Sequence, residues 1–531
     1  MIDILDLTAD VLVAGGGPAG AWAALKAAQA GADVVLVDKG YTGTSGATAS
    51  AGTGVWYVEP EAGAREAAMA SRESLNGHLS DRRWMARVLD QTYANINELA
   101  TAGRYPFPVL DDGSELRRGV QGPEYMRRMR AWLKRSGVRI LDHSPVLELL
   151  TDPIGAVAGA AGHRRQLGRP YRVRAGAVVL ATGGCAFLSR ALGCDVNTGD
   201  GALFAAEVGA TFSGMEFSNA YAIAPEFSTV TKTAYYNYAT FYREDGSVLA
   251  GAGSQGGRSV IARELLTGRV FARLDRADQA VQAAMRRGQP NFFLPFDRMR
   301  IDPFTDRFPI TLLLEGTVRG TGGIRVVDDD CSTGVPGLYV AGDAATRELI
   351  CGGFTGGGSH NSAWAMSSGT WAGTAAARHA TALGPAARRR RLVAAGRAGL
   401  RPTGAELGTH DDIVRAVQAE THPYEKNYLR RGDVLAGALA NLDELWTYTG
   451  AHTRGPDPVG ARQAAAMVAH ARWMYTAALA RTESRGMHKR LDHPSADPAS
   501  RHRLMVGGLD ELWTAADPVR PHTPLDLAVA S

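Results

Sequence analysis

Three glycines and a later acid carry the first chemistry legible in this chain of 531 residues. Gly15-Gly16-Gly17-Pro18-Ala19-Gly20 reads as G-x-G-x-x-G and follows the apolar run Val11–Ala14. In such a turn the first glycine permits the tight bend, the second lets backbone N–H groups approach a diphosphate, and the third lets the next helix pack closely on the strand. Pro18 suits the first helical position. A second apolar run, Val34–Val37, ends in Asp38, whose carboxylate can accept a hydrogen bond from a ribose hydroxyl. Strand, glycine turn, helix, strand and acid within about thirty residues predict a complete βαβ dinucleotide-binding unit. The helix N-terminus supplies donors and a positive field for the diphosphate. The cofactor-lining set therefore opens with Ala14, Gly15, Gly16, Gly17, Pro18, Ala19, Gly20, Asp38 and the adjoining Lys39.

Behind the acid, Ser45, Gly46, Ala47, Thr48, Ala49 and Ser50 form a small, polar stretch that lets backbone pass close to a flat ligand, in preference to a plain linker. Residues 64–103 and 124–136 have helical periodicity, while Val138–Leu141 and Pro145–Leu150 read as strand, turn and strand, with Val146 added to the lining set. Gly155–Arg169 reads as a loop. The next apolar strand, Ala177–Leu180, ends in Ala181-Thr182-Gly183-Gly184, and Asp200, Gly342-Asp343 and Asn361-Ser362-Ala363 sit at later turns and helix starts.

Length and composition frame these motifs. The chain is long enough for two to four domains, and 45% hydrophobic residues make it globular. Its net charge of +4 is small, with basic residues scattered and not interleaved with aromatics, which argues against nucleic acid. No run is long and apolar enough to span a membrane, and the acidic start Met1–Asp6 is unlike a signal peptide, so a cytoplasmic location is expected. Cys185, Cys194, Cys331 and Cys351 lack C-x-x-C spacing, so no zinc ribbon, iron–sulfur cluster or disulfide-reductase pair is read, and no histidine spacing suggests a metal. From residue 388 onward the periodicity is helical, and Arg388–Arg391 reads as a solvated turn between domains.

Taken together, Ala181–Gly184, Asn197–Gly201, Gly337–Asp343, Ser359–Ala363 and Glu483–Pro494 resemble, in order, the motifs of the flavoprotein subunits of succinate dehydrogenase and fumarate reductase. L-Aspartate oxidase, adenylylsulfate reductase and ketosteroid dehydrogenase are relatives of that family. The resemblance implies an α/β protein with three parts. These are a Rossmann-like FAD-binding domain (1–216 and 319–387), an inserted α+β capping domain (217–318) and a helical C-terminal domain (388–531). It implies that FAD is the cofactor, that Asp200 and Asp343 bond near the flavin and ribityl chain, and that Asn361, Ser362 and Ala363 open a helix facing the flavin N1–C2=O edge. Ser45-Gly46-Ala47 stands where relatives carry a flavinylated histidine, so noncovalent FAD is expected.

The same resemblance aligns Gly257-Arg258-Ser259 with a G-R-D whose arginine exchanges a proton with substrate while flavin N5 handles the hydride. Arg258 is thus a catalytic candidate, although guanidinium shuttles protons poorly without a neighbouring acid and Ser259 replaces the family's aspartate. A purely structural Arg258, capping or pairing with the helix that contains Glu264, is the competing reading. Tyr221, Tyr235, Tyr236, Tyr238 and Tyr242 crowd the cap. Tyr236 is taken forward as a phenolic acid, with core packing or subunit contact as the alternative. Three of the family's dicarboxylate-binding positions are changed, at Phe217–Ala220, Val318–Gly323 and Phe354–Ser362, where the clamping arginine becomes Gly357. An unclamped dicarboxylate in a closed site would lose several kcal/mol. Succinate and fumarate are therefore not expected, and Arg319 remains to take one anionic group.

The reading is an FAD-dependent oxidoreductase moving a hydride between N5 and an organic substrate, with a C–C double bond formed or reduced. One alternative is an adenylylsulfate-reductase-like electron-relay subunit needing an iron–sulfur partner, and another is a flavin-binding protein whose catalysis is lost. Expected partners are a small-molecule substrate and, as candidates, an electron-transfer protein and further copies of the chain. His360 and His488 are either site donors or structural hydrogen-bonders.

Overall fold

The computed structural model describes residues 4–231, 233–254, 256–355, 357–404, 409–452 and 457–518. Its centre is an eight-stranded sheet whose strands follow the order Val393–Ala394, Val146–Thr151, Val157–Arg164, Arg169–Leu180, Leu5–Ala14, Val34–Val37 and Arg139–Leu141. The remaining strand, Leu338–Val340, pairs parallel with Val178–Leu180, leaving the first half of that long strand to pair antiparallel with Val157–Arg164. Leu5–Ala14 runs parallel between Arg169–Leu180 and Val34–Val37, and its Val11–Ala14 end is wholly buried, as a strand covered on both faces must be.

The βαβ unit has the predicted form. Its helix, Pro18–Gln29, starts at the proline and packs against a long helix, Gly357–Leu383. The two backbones nearly touch: a Cβ on Gly369 would sit 2.4 Å from the Ala19 carbonyl oxygen, and one on Gly373 would sit 2.1 Å from that of Ala23. Gly20 is tighter still, with an added Cβ only 1.8 Å from the Gly15 carbonyl oxygen. Two further helices, Ala62–Glu73 and Arg82–Thr101, fill the region read as one helical stretch.

Between the long strand and Leu338, the chain builds a second sheet of four antiparallel strands in the order Ala220–Pro225, Phe308–Glu315, Val270–Arg273 and Thr240–Arg243. Phe292, Phe293 and Phe296, on the helix Pro290–Met299, pack under it with Tyr236 and Phe308. The C-terminal part carries the expected helices, His410–Thr421, Gly432–His452 and Pro458–Ala480. It also contributes two strands, His502–Gly507 and Trp513–Pro518, which complete a four-stranded sheet with Phe212–Ser213 and Gly323–Ile324.

Three expectations are corrected. The supposed loop Gly155–Arg169 is mostly the strand Val157–Arg164, whose alanines and glycines gave no β signal but fit between two neighbouring strands. Within the turn read as solvated, Arg389 and Arg391 are exposed but Arg390 is not: it donates to the carbonyls of Ala175 and Gly176 and pairs with Asp152 at 3.3 Å. The long helix begins at Gly357, about one turn before Asn361. No helix among the described residues is long and apolar enough to cross a membrane.

Gly20→Ala is expected to force the helix off the strand, an overpacking cost of about 1–3 kcal/mol. Flavin content after gel filtration and the first thermal unfolding transition should both fall; unchanged values would show that the turn has more room than its geometry allows.

Candidate functional site

Every parallel strand of the central sheet ends at the same edge, and the turns that follow enclose one cavity of about 1590 Å³. This exceeds the roughly 300–1,000 Å³ usual for a single small ligand, leaving room for a dinucleotide and a second molecule. Its wall at the sheet edge contains Ala14–Ala19, Asp38, Lys39, Ser45–Thr48, Ser50, Val146, Ala181–Gly183, Asp200, Gly342, Asp343, Asn361 and Ser362. Of the expected lining set, Gly20, Ala49 and Ala363 stand behind the wall: Gly20 under Gly15, and Ala49 and Ala363 buried.

The acid at the second strand does more than wait for a ribose. Asp38 accepts from the backbone N–H of Gly16, from that of Gly40 at 2.7 Å and from the Ser45 hydroxyl at 2.6 Å, so it ties the glycine turn to the small-residue loop. A carboxylate offers about four acceptor sites, which leaves one for a ligand hydroxyl. Lys39 pairs with Asp200 at 3.0 Å and donates to Thr198 at 3.1 Å. Asp343 pairs with the fully buried Arg347, which also donates to the carbonyls of Thr317 and Val318. Ser50 Oγ, Thr182 Oγ1 and Asn361 Oδ1 are buried without a hydrogen-bond partner among the described residues. Together with the side-chain-free glycine turn, these orphaned atoms in the cavity wall fit a bound FAD.

At the cap side, Arg258 is the first residue of the helix Arg258–Glu264, and its Nη1 donates to the Tyr221 carbonyl at 2.9 Å. It does not brace its own helix: Glu264 pairs with Arg243 at 3.2 Å instead. Burial, and the neighbouring Arg319 guanidinium, hold the pKa of Arg258 below the usual arginine value. Arg319 lines the same wall, and its charge contact among the described residues is Glu315, 3.9 Å away and buried. Glu315 itself accepts from Thr231 at 2.7 Å.

Tyr236 does not line this cavity. Its ring lies among Phe241, Phe292 and Phe308, and burial pushes its phenol well above the ordinary value, so core packing is what the structure shows. Tyr235, one residue earlier, lines the cavity but donates to the Met285 carbonyl at 2.8 Å. Tyr221 donates to the carbonyls of Thr421 and His422.

Sequence reasoning missed Tyr428, and it did not single out Asn219, Phe354, Met487 and Lys489 from stretches it had marked; all five are in the wall. The last two come from the Glu483–Pro494 signature, which buttresses the wall as well as lining it. Glu483 pairs with Arg481 and Arg485, Arg490 with Asp492, and the Met487 N–H donates to the Gly353 carbonyl at 2.7 Å. His488 is structural, held between Arg430 and the Arg481 carbonyl. His360 packs on Trp56, and Gly356 lies outside the described residues. All four cysteines are buried and none is in a disulfide among the described residues.

Next to this buttress, Glu348 is fully buried, accepts from Ser213 at 2.5 Å and faces Glu216. Burial and the second carboxylate push its pKa well above the ordinary range. A folded-state pKa above the unfolded value, about 4.3, means the native state holds the proton more tightly. Stability should therefore fall as pH rises from about 4.3 through the raised folded-state pKa. Glu348→Gln, measured by chemical denaturation at several pH values, is expected to flatten this dependence; an unchanged slope would assign it elsewhere.

Comparisons with known proteins agree with the geometry. A family model described as FAD binding domain matches residues 10–225, and one described as Fumarate reductase flavoprotein C-term matches residues 429–513. The L-aspartate oxidase of Streptomyces coelicolor is 27% identical over 376 residues, covering 64% of this chain and 63% of that protein, which is less than two thirds of its length. The L-aspartate oxidase of Mycobacterium tuberculosis is 27% identical over 538 residues, covering 95% and 96%. Among solved structures, E. coli quinol fumarate reductase FrdA superposes with a TM-score of 0.82 at 20% identity, covering 98% of each chain.

Proposed function

Because the chain belongs to the FAD-dependent oxidoreductases of the succinate dehydrogenase and fumarate reductase flavoprotein family, we propose that it oxidises or reduces a C–C bond of an organic substrate other than succinate or fumarate. The observation that carries this reading is the arginine pair, Arg258 and Arg319, in the wall of the cavity onto which the glycine turn opens. When bound, FAD supplies the two-electron hydride acceptor or donor at N5. In the oxidising direction the substrate loses a hydride from one carbon and a proton from its neighbour; in the reducing direction it gains both. Arg258 is the proton partner in either direction, its lowered pKa making the exchange less costly than for a solvated guanidinium.

Asp38, Lys39, Asp200 and Asp343 would hold the cofactor's polar groups, while the glycine turn admits its diphosphate. The small residues 45–48 would let the ring lie flat, held by contacts alone. We assign residues 1–216 with 319–387 to the cofactor domain, 217–318 to the cap and 388–531 to the C-terminal domain. The activity in the relatives' name, L-aspartate oxidation, extends the proposal to C–N bonds. A second reading, a subunit relaying electrons to an iron–sulfur partner, is favoured by the match to the fumarate reductase C-terminal model at 429–513. Copurification of a cluster-bearing protein from native cells tests it.

For the principal reading, dithionite titration and photoreduction of the holoprotein come first, then a screen of enones and amino acids as reoxidants or substrates. With the substrate found, Arg258→Gln should keep FAD and lower kcat by about 10²–10⁴. Wild-type turnover in that variant would remove Arg258 from the chemistry. A flavin that reduces but is reoxidised by no organic compound and by no O₂ would favour a protein that has kept binding and lost catalysis.

A further inference from the structure

Among the aromatic residues of the cavity wall, Tyr428 differs from its neighbours. Tyr221 and Tyr235 spend their hydroxyls on backbone carbonyls of the protein. The Tyr428 hydroxyl has no hydrogen-bond partner among the described residues, while its ring is fixed edge-on against Tyr221, centroids 5.4 Å apart. It lies within electrostatic reach of Arg258. Arg319, in the same wall, donates no hydrogen bond to the protein among the described residues, and its carboxylate neighbour, Glu315, is 3.9 Å away. Two arginines and a tyrosine thus line one cavity, with Glu315 as the counter-charge beside Arg319 among the described residues. Like charges brought together in a partly desolvated wall are costly unless an anion joins them.

Another part of the same cavity wall has the opposite character. Gly357 has a left-handed backbone, φ 61°, and a Cβ built there meets nothing within 4 Å. Gly256 also lines the cavity, and a Cβ built there likewise meets nothing within 4 Å. The acidic residues of the wall, Asp38, Asp195, Asp200 and Asp343, do not belong to the cap elements that carry Arg258 and Arg319.

We propose that the substrate is an organic acid larger than a four-carbon skeleton. Its carboxylate is bridged by Arg258 and Arg319 with the Tyr428 hydroxyl as third donor, and its body extends over Gly357. This rests on the redox reading of the same cavity and adds the substrate's class and a residue that contacts it. Tyr428 acts as a hydrogen-bond donor to the substrate and carries no proton through the reaction.

The test uses the purified FAD-loaded protein and reads the visible difference spectrum of the flavin during titration with 3-phenylpropanoate, its neutral amide, acetate and succinate. The bulky acid is expected to bind about tenfold or more tighter than the amide, the scale of one hydrogen bond to a charged group, and tighter than succinate, which leaves the space over Gly357 unfilled. Arg319→Met should abolish the preference for acid over amide. Arg319→Lys, retaining the charge without the fork, should keep part of it and serves if the methionine variant loses FAD. Tyr428→Phe preserves the ring packing and should weaken the acid severalfold while leaving the amide unchanged. Gly357→Asn tolerates the left-handed backbone and should weaken the bulky acid more than acetate. Succinate binding as tightly as phenylpropanoate, or an acid preference untouched in both the Arg319 and Tyr428 variants, would overturn the proposal. If no acid binds while the reduced flavin is still reoxidised by an organic acceptor, this inference fails and the redox reading stands.

Discussion

The approach of the Gly20 α-carbon to the Gly15 carbonyl is the contact on which this molecule's function depends. With an added Cβ only 1.8 Å from that oxygen, no other residue can occupy the position without moving the helix Pro18–Gln29 off its strand. Pressing helix on strand places the start of the helix at the cavity wall, where its N–H groups and the helix field would stabilise a diphosphate. The same economy of side chains recurs at Gly369 and Gly373, which let the long helix lie against this one. The sheet supplies the other half of the arrangement. Because its parallel strands all end at one edge, Gly15, Asp38, Ala181 and Gly342 arrive together although their positions in the chain are far apart.

Buried arginines then hold the remaining parts against that edge. Arg347, fully buried, grips Asp343 and the carbonyls where the chain leaves the cap. Arg481, equally buried, links Glu216 before the cap to Glu483 in the C-terminal signature, and Arg485 reaches the Gly77 carbonyl at 2.7 Å. A buried ion pair is weak evidence for net stability, since desolvation offsets much of the attraction, but removing one partner leaves a costly unpaired charge. These pairs are therefore better understood as fixing where the cap and C-terminal elements sit relative to the cavity than as adding to the folding free energy.

What the sequence disclosed and what it hid divide along a physical line. The βαβ unit was fully legible because its turn, helix start and acid are local requirements stated within one short segment. The turns at Ala181, Asp200 and Gly342 were legible by another route, their resemblance to the motifs of a known flavoprotein family. The strand Val157–Arg164 was hidden because alanine and glycine carry no β preference, and only neighbours distant in sequence make that segment a strand. Tyr236 and Tyr235 could not be told apart: in a 3-10 turn adjacent side chains diverge, and which one meets the phenylalanines is decided by packing from the helix Pro290–Met299. Tyr428 had no local signal at all. It stands beside the C-terminal helices and reaches the cavity through tertiary structure alone.

The objection to an arginine as proton carrier loses much of its force in this setting. In water a guanidinium holds its proton too tightly for exchange near neutrality. Here burial and the charge of Arg319 both disfavour the protonated form of Arg258, while Glu315 and Tyr428 act in the opposite sense. Glu315 can neutralise only one of the two guanidiniums, and at 3.9 Å from Arg319 it does so incompletely. The pair is thus most strained when the cavity lacks an anion and is relieved when one enters. Substrate binding and proton affinity are thereby coupled: an anionic group beside Arg258 raises its hold on the proton, and departure of that charge lowers it.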